Sequence, residues 1–401
     1  MRLPTLQTVT HIRPRGKAFG RIMLCVTEDW FALSHFQPLI ALLVRLADDV
    51  LVVTRSSGRH REIESLGART FDFEYHRSSL SPLREAQSAR RLAAVIADFK
   101  PDVLHLVAMK PIVLGGLSVR LTNVPHVVLH LTGLGFLGIT ESPRVRAVRW
   151  IVLKLIAATL ARPGSWLLVE NGEDLAYLEA AGVRARERHT ILGGAGIDPD
   201  QFPLQGEPAG QLCRAAYVGR MIRPKGVDIL MAAAGLLAKR GVPLAIDLYG
   251  QSDADNPEAI APAELEAWTS NGHGRWHGPT RDVAGVWQRS DIFVLPARSR
   301  EGLPRALLEA AASGRPAIVT DVPGCRTFVR DGVEGLVVPP DDVAALANAL
   351  ERLARDPTLR RRLGLAARTR VLDGFTIAAV VAGLEQSYNA LNCRPQHRKD
   401  R

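Results

Sequence analysis

Apolar runs of strand length recur along this chain with helical periodicity between them, and that alternation constrains the fold more than any other feature. The runs are RIMLCVT at 21 to 27, VLVVT at 50 to 54, DVLHLVA at 102 to 108, HVVLHLT at 126 to 132 and SWLLVEN at 165 to 171. RAAYVG, PLAIDLYG, DIFVLPA, RPAIVT and GLVVPP repeat the pattern further on. Stretches such as 35 to 46, 173 to 181 and 227 to 239 carry the spacing of amphipathic helices. Strands joined through helices run parallel, which predicts an α/β protein. At 401 residues there is material for two domains, each with its own core. The segment 204 to 213, LQGEPAGQLC, has linker composition and divides a first domain, 21 to 203, from a second, 214 to 376. Two doubly wound domains facing across a cleft are the expected assembly.

Two motifs in the second half point to chemistry. EGLPRALLE at 301 to 309 follows the strand-like run Asp291 to Pro296, so Glu301 is expected in a loop and Glu309 on a helix with Pro304 in its first turn. Backbone N–H groups near that helix start, at Gly302, Leu303, Pro304's successor and their neighbours up to Arg305, are donors suited to an anion such as a diphosphate. Glu309 is the only charge among Ala306, Leu307, Leu308, Ala310, Ala311 and Ala312. A carboxylate in such a setting needs a partner, and a ribose diol would supply one. Upstream, YVGRMIRPKG ends a strand at Gly219 and places Arg220 and Lys225 ahead of a helix. Cations in a strand-to-helix loop suit a pair of phosphates. Taken singly, Arg220 and Lys225 are equally consistent with solvated surface positions, and for two glutamates at arbitrary spacing the solvated reading is the better one.

Together the motifs resemble the retaining glycosyltransferases of family 4, which have the GT-B fold of two Rossmann-like domains, and the likeness runs from about Arg21 to about Leu391. The resemblance implies that Glu301 contacts the donor sugar and Glu309 the ribose, and that Gly219, Arg220 and Lys225 hold the diphosphate with Gly302, Leu303 and Pro304 lining the donor. It makes 377 to 391 a helix returning to the first domain, ahead of a basic tail at 392 to 401. A narrower likeness, carried by EDWFALSH at 28 to 35, HLVAMKP at 105 to 111 and LTGLGF at 131 to 136, is to bacterial enzymes that extend polyprenyl-diphosphate-linked glycans in capsule, O-antigen and glycoprotein pathways. It implies an acceptor side at Glu28, Asp29, His35, His105, Lys110, Thr132 and Gly133. Either His130 or its neighbour Thr132 takes the place of the family's active-site histidine. The implied reaction is transfer from a nucleotide sugar, a UDP-sugar by expectation, to a lipid-linked glycan, with Glu301, His130, Arg220 and Lys225 at its centre. A nucleotide-sugar epimerase of the same fold and a catalytically silent nucleotide-sugar-binding protein are the alternatives.

Other features bound the reading. Cys25, Cys213, Cys325 and Cys393 show no CxxC spacing, so neither a zinc cluster nor a disulfide framework is expected. The DxD-like element Asp253 with Asp255 lies among polar residues and reads as a solvated loop, so neither a metal nor a further cofactor is called for. GLGFLG at 133 to 138 has the form of a dinucleotide fingerprint but comes late in its domain, where a phosphate- or acceptor-lining loop or a plain turn fits better. A net charge of +10 favours anionic partners, while zinc-finger spacing and RNA-binding signatures are missing, which ranks nucleic acid low. Residues 1 to 20 read as a basic lead-in without a signal-peptide core. The stretch 142 to 162 sets Arg144, Arg146, Arg149 and Lys154 beside Trp150, Ile151, Leu155 and Ile156, and is either an ordinary domain helix or one that lies on an anionic membrane. The expected location is the cytoplasmic face of the cell membrane, held peripherally.

Overall fold

The computed structural model describes residues 17–75, 81–134, 143–208, 212–253, 256 and 258–392. They form two compact units, one made of residues up to Leu192 with those from Val381 onward, the other of Gly193–Val380. The stretch 193 to 203 therefore goes with the second unit, where Ile197 lies in the core and bridges to Thr376. The helix Ile377–Asn392 starts in the second unit and gives its remainder to the first.

In the first unit the strands are β1 (Phe19–Glu28), β2 (Ala47–Arg55), β3 (Arg69–Asp72), β4 (Val103–Val107), β5 (His126–Leu131), β6 (Ser165–Val169) and β7 (His189–Ile191). They lie in the order β3-β2-β1-β4-β5-β6-β7, all parallel. Alternate residues face opposite sides. Met23, Cys25, Leu104, Leu106, Val127 and Leu129 enter one core, while Ile22, Leu24, His105, Val128 and His130, on the other face, are buried too. A parallel sheet covered on both sides requires this, which is why its strands read as unbroken apolar runs. Strands β3 and β7 escape sequence reading because three or four half-exposed residues show no period. The helix expected over 35 to 46 is two helices, Asp29–His35 and Gln37–Leu46, broken at Phe36 with Pro38 in the second one's first turn. Proline cannot continue a helix from within.

The second unit repeats the plan with β8 (Cys213–Val218), β9 (Leu244–Tyr249), β10 (Arg275–Trp276), β11 (Ile292–Leu295), β12 (Ala317–Thr320) and β13 (Gly335–Val338), in the order β10-β9-β8-β11-β12-β13. Its core gathers Tyr217, Leu230, Trp287, Phe293, Leu307 and Phe328. Strands β8 and β11 are neighbours, with Ile292 level with Ala215, and the strand order reverses there. In the first unit β1 and β4 are the corresponding pair. Ligands of doubly wound sheets bind beyond the carboxyl ends of strands at such switch points.

Candidate functional site

The loop leaving β8 is held from several sides. The Tyr217 hydroxyl donates to the Arg220 carbonyl at 2.7 Å, and the N–H groups of Gly219 and Met221 donate to the carbonyls of Tyr249 and Gln251 at 2.9 and 3.0 Å. After the turn Arg223–Lys225, Gly226 adopts φ 72° at the start of the helix Val227–Lys239. A Cβ there would sit 1.8 Å from the Pro296 carbonyl oxygen, so glycine is what allows this loop to lie against the end of β11.

That approach joins the two sequence motifs. Lys225 Nζ lies 2.7 Å from Glu301 Oε2, with only 18% and 15% of the two side chains exposed. Arg220 reaches Asp253 at 3.2 Å. The carboxylate is only one-fifth exposed, which corrects the reading of Asp253 as a solvated loop charge; Asp255 lies outside the described residues. A further tie joins the loops after β8 and β11: Arg298 binds Asp228 through both terminal nitrogens, at 2.6 and 2.9 Å, and donates to the Arg223 carbonyl. Nothing in the sequence marks Arg298 among its many charges.

The helix of the EGLPRALLE motif is Arg305–Ala312, and Pro304 is its N-cap with extended backbone, φ −63° and ψ 121°, rather than part of its first turn. Leu307 and Leu308 donate to the Pro304 carbonyl, so the N–H groups of Arg305 and Ala306 precede the first acceptor inside the helix. Gly324, at φ 79°, makes room for the preceding loop: a Cβ on it would meet the Gly302 oxygen at 1.7 Å. Leu303 packs toward Gly194. Glu309 is 7% exposed, as its apolar neighbours suggest. Its partner is within the motif, Arg305 Nε at 2.8 Å one turn earlier. Burial raises the Glu309 carboxyl above the ordinary glutamate range, against the opposing pull of Arg305. The i,i+4 spacing of this pair is legible in the sequence.

In the first unit the residues named for the acceptor side cluster partly at the β1/β4 switch point. Glu28 ends β1 and pairs with Arg55 at 2.9 Å. Asp29 is fully buried and accepts from the Ser57 hydroxyl and from the N–H groups of Ser57 and Arg59. Burial alone would raise its carboxyl, but these bonds, with that of the Trp30 N–H, outweigh it and hold the group below the ordinary aspartate range. Beyond β4, Ala108 adopts φ 69° and ψ 167°, a region nearly restricted to glycine, and Lys110 pairs with Glu85 at 2.7 Å. His35 ends its helix beside Phe31 and the Ser34 hydroxyl. His105 has no exposed surface and packs inside the unit, bonded to Tyr388 and His130, so it does not itself present a surface to an acceptor. His130 is 3% exposed; Thr132 and Gly133, just beyond β5, are half-buried. Residues 135 to 138 of GLGFLG lie outside the described residues.

The stretch from 142 proves to be the helix Pro143–Leu160. Val152, Leu153, Ile156 and Leu160 enter the core, whereas Trp150 and Ile151 are 63% and 58% exposed. Lys154 stands over the Trp150 ring at 5.8 Å, and Arg146 is exposed. The Arg144 side chain and Cys393 fall outside the described residues. Among the described residues no helix is long and apolar enough to cross a membrane, and no three metal-ligating side chains converge.

The chain is similar to known proteins. The family model described as Glycosyl transferases group 1 matches residues 213–356, and that described as Glycosyl transferase 4-like matches residues 21–162. The N,N'-diacetylbacillosaminyl-diphospho-undecaprenol alpha-1,3-N-acetylgalactosaminyltransferase of Campylobacter jejuni is 24% identical over 345 residues, which cover 83% of this chain and 89% of that protein. The UDP-Gal:alpha-D-GlcNAc-diphosphoundecaprenol alpha-1,3-galactosyltransferase of Escherichia coli is 22% identical over 372 residues, 85% of this chain and 88% of that one. The crystal structure of Anabaena Alr3699/HepE in complex with UDP and glucose matches 92% of this chain and all of its own with a TM-score of 0.74, at 16% identity. At that identity the likeness is one of fold.

Proposed function

Because the chain belongs to the group 1 and 4-like glycosyl transferases, we propose that it moves a sugar from a UDP-sugar to a polyprenyl-diphosphate-linked glycan, retaining the anomeric configuration and using no metal. The observation that carries this reading is the 2.7 Å contact between Lys225 and Glu301. It brings the cation of one motif and the carboxylate of the other to the switch point where a doubly wound sheet binds its ligand. The two relatives named above act, by their names, on undecaprenol-diphosphate-linked sugars, which supports the acceptor class.

In this reaction the bond between the anomeric carbon and the diphosphate oxygen breaks and a bond to the acceptor oxygen forms. The acceptor's proton leaves with the nucleoside diphosphate. Negative charge grows on the departing diphosphate, and Arg220, Lys225 and the N–H groups at the start of Arg305–Ala312 are the donors that stabilise it. Glu301 orients the sugar hydroxyls, and Glu309, steadied by Arg305, takes the ribose. In the first unit the acceptor side falls to Lys110, Thr132 and Gly133, which are half-buried, whereas the buried Glu28 and Asp29 hold the surrounding loops. The exposed Trp150 and Ile151, with Arg146 and Lys154 beside them, suit contact with an anionic lipid surface, where such an acceptor resides.

A panel of nucleotide sugars tested by thermal shift on wild type and Lys225→Ala checks the donor, since specific binding stabilises the folded state. The reading requires a wild-type shift with a UDP-sugar that the variant loses. Product formation with a synthetic polyprenyl-diphosphate sugar must then survive a chelator. Release of free nucleotide without an acceptor would favour an epimerase instead.

A further inference from the structure

Three buried polar side chains of the first unit form a hydrogen-bonded file. Tyr388, on the helix Ile377–Asn392, places its hydroxyl 2.8 Å from Nδ1 of His105 on β4, and Nε2 of His105 lies 3.2 Å from Nδ1 of His130 on the adjacent β5. All three are nearly or wholly enclosed, at 1%, 0% and 3% exposure. His105 is level with Val128 and Val107 with His130, so both imidazoles stand on one face of the sheet. The rings of Phe36 and His130 meet nearly perpendicular, 5.4 Å between centres. Burial depresses both imidazoles below the ordinary histidine range, His130 to about 3, and for His105 the neighbouring His130 adds to the effect. Each ring is therefore neutral at neutral pH and carries one N–H.

Donor counting sets the direction of the file. The hydroxyl of Tyr388 has one proton, and among the described residues its hydrogen-bond partner is His105. If Tyr388 donates, His105 accepts at Nδ1, carries its own proton on Nε2 and donates to Nδ1 of His130. His130 must then carry its proton on Nε2, which is buried without a protein partner. The opposite direction would strand the tyrosine proton as well as the His130 nitrogen, two unpaired buried groups in place of one, each costing about 1–3 kcal/mol.

We propose that Tyr388 and His105 are positioning residues for sugar transfer, fixing His130 as the Nε2–H tautomer so that it offers a neutral N–H donor to an oxygen of the bound sugar. The inference rests on the reading of the chain as a glycosyltransferase with His130 at its active site. His130 stands one residue before the carboxyl end of β5, ahead of the half-buried Thr132 and Gly133, where doubly wound sheets meet their ligands. An uncharged N–H suits a sugar hydroxyl or ring oxygen.

The test combines ¹⁵N-histidine spectra, which distinguish the two imidazole tautomers, with steady-state kinetics of the full-length enzyme. Three variants divide the possibilities: Tyr388→Phe removes the first donor, His105→Leu cuts the file, and His105→Gln keeps an acceptor and a donor in the same order. Wild type and His105→Gln should show His130 protonated on Nε2. With no donor fixed against Nδ1, Tyr388→Phe and His105→Leu should let an Nδ1–H population appear beside the Nε2–H form, with kcat lowered severalfold, KM for the donor little changed and cooperative melting retained. A wild-type His130 protonated on Nδ1, or equal kcat losses in His105→Gln and His105→Leu, would overturn the proposal. A tautomer change that leaves kcat untouched would instead remove His130 from the sugar, a failure of the active-site reading that the spectra separate from failure of the file.

Discussion

Replacing Gly324 by alanine tests whether the EGLPRALLE loop is held in place by close backbone packing. The new Cβ would lie 1.7 Å from the Gly302 oxygen and 2.6 Å from that of Glu301, whereas real Cβ contacts hardly ever fall below 3.0 Å, so the loop must retreat by at least 3.0 − 1.7 = 1.3 Å. A displacement of about 1 Å at a reacting centre is enough to cost roughly 100-fold in rate. The variant also pays a conformational penalty of about 1–3 kcal/mol, because φ +79° with ψ −52° is a backbone conformation that alanine rarely adopts. Gly332 supplies the control: its φ is +71°, but a Cβ on it would meet nothing within 4 Å. Gly332→Ala should therefore lower the melting temperature by a few degrees, about 2–4 °C per kcal/mol, and leave kcat/KM for sugar transfer near wild type. Gly324→Ala should melt lower still and lose about two orders of magnitude in kcat/KM. Equal transfer rates in the two variants would show that the position of the Gly302 carbonyl does not matter to the chemistry, and the loop-packing argument would fail.

Lys225→Ala and Glu309→Ala should each weaken nucleoside-diphosphate binding by about 10-fold or more, the worth of one charged hydrogen bond, while still melting cooperatively; calorimetry showing wild-type affinity in both would displace the donor site. Asp29→Asn should be less stable than wild type at neutral pH. Because the folded-state carboxyl is held below its ordinary range, the stability it contributes is present above about pH 4 and fades as pH falls through the folded value. Denaturation curves for the two proteins should converge in acid, and a gap that stays constant would exclude the ionised form as the cause. Ala108→Gly relieves a backbone conformation that disfavours alanine, at φ 69°, and should raise stability by about 1 kcal/mol after the entropy cost of glycine; a lower melting temperature would contradict it. Wild-type protein should co-sediment with anionic vesicles less as salt rises, and Trp150→Ser with Ile151→Ser should abolish it, whereas recovery of wild type in the supernatant at low salt would leave this helix without a lipid role.

Much of the fold is legible in the sequence because fully buried parallel strands leave continuous apolar runs. The runs at 102 to 108 and 291 to 296 fall on β4 and β11 for that reason. Short edge strands such as Arg275–Trp276 carry too few residues to show a period. At the site, EGLPRALLE and GRMIRPKG name the residues, but not their pairing. The contact of Lys225 with Glu301 spans strands distant in sequence, and the closeness that makes it depends on Gly226 and Gly324, which lie against the Pro296 and Gly302 carbonyls only in the folded chain. Asp253 reads as a loop charge because its partner Arg220 belongs to a different loop. Tyr388 carries no local signal at all, since its role comes from strands met long before it in the chain.

The helix Ile377–Asn392 has a consequence for synthesis of the chain. Tyr388, Leu384 and Leu391 are buried in a unit whose residues outside this C-terminal segment all precede Gly193. On the ribosome the seven strands of the first sheet emerge well before the helix that completes their cover, and the whole second unit is made in between. Domains that fold as units during translation do so in order of emergence, but this first domain must wait for a segment that follows its successor. Its exposed sheet face, with His105 on it, is then a stage at which a nascent chain is open to aggregation or to chaperone binding, and the second domain is the first able to finish.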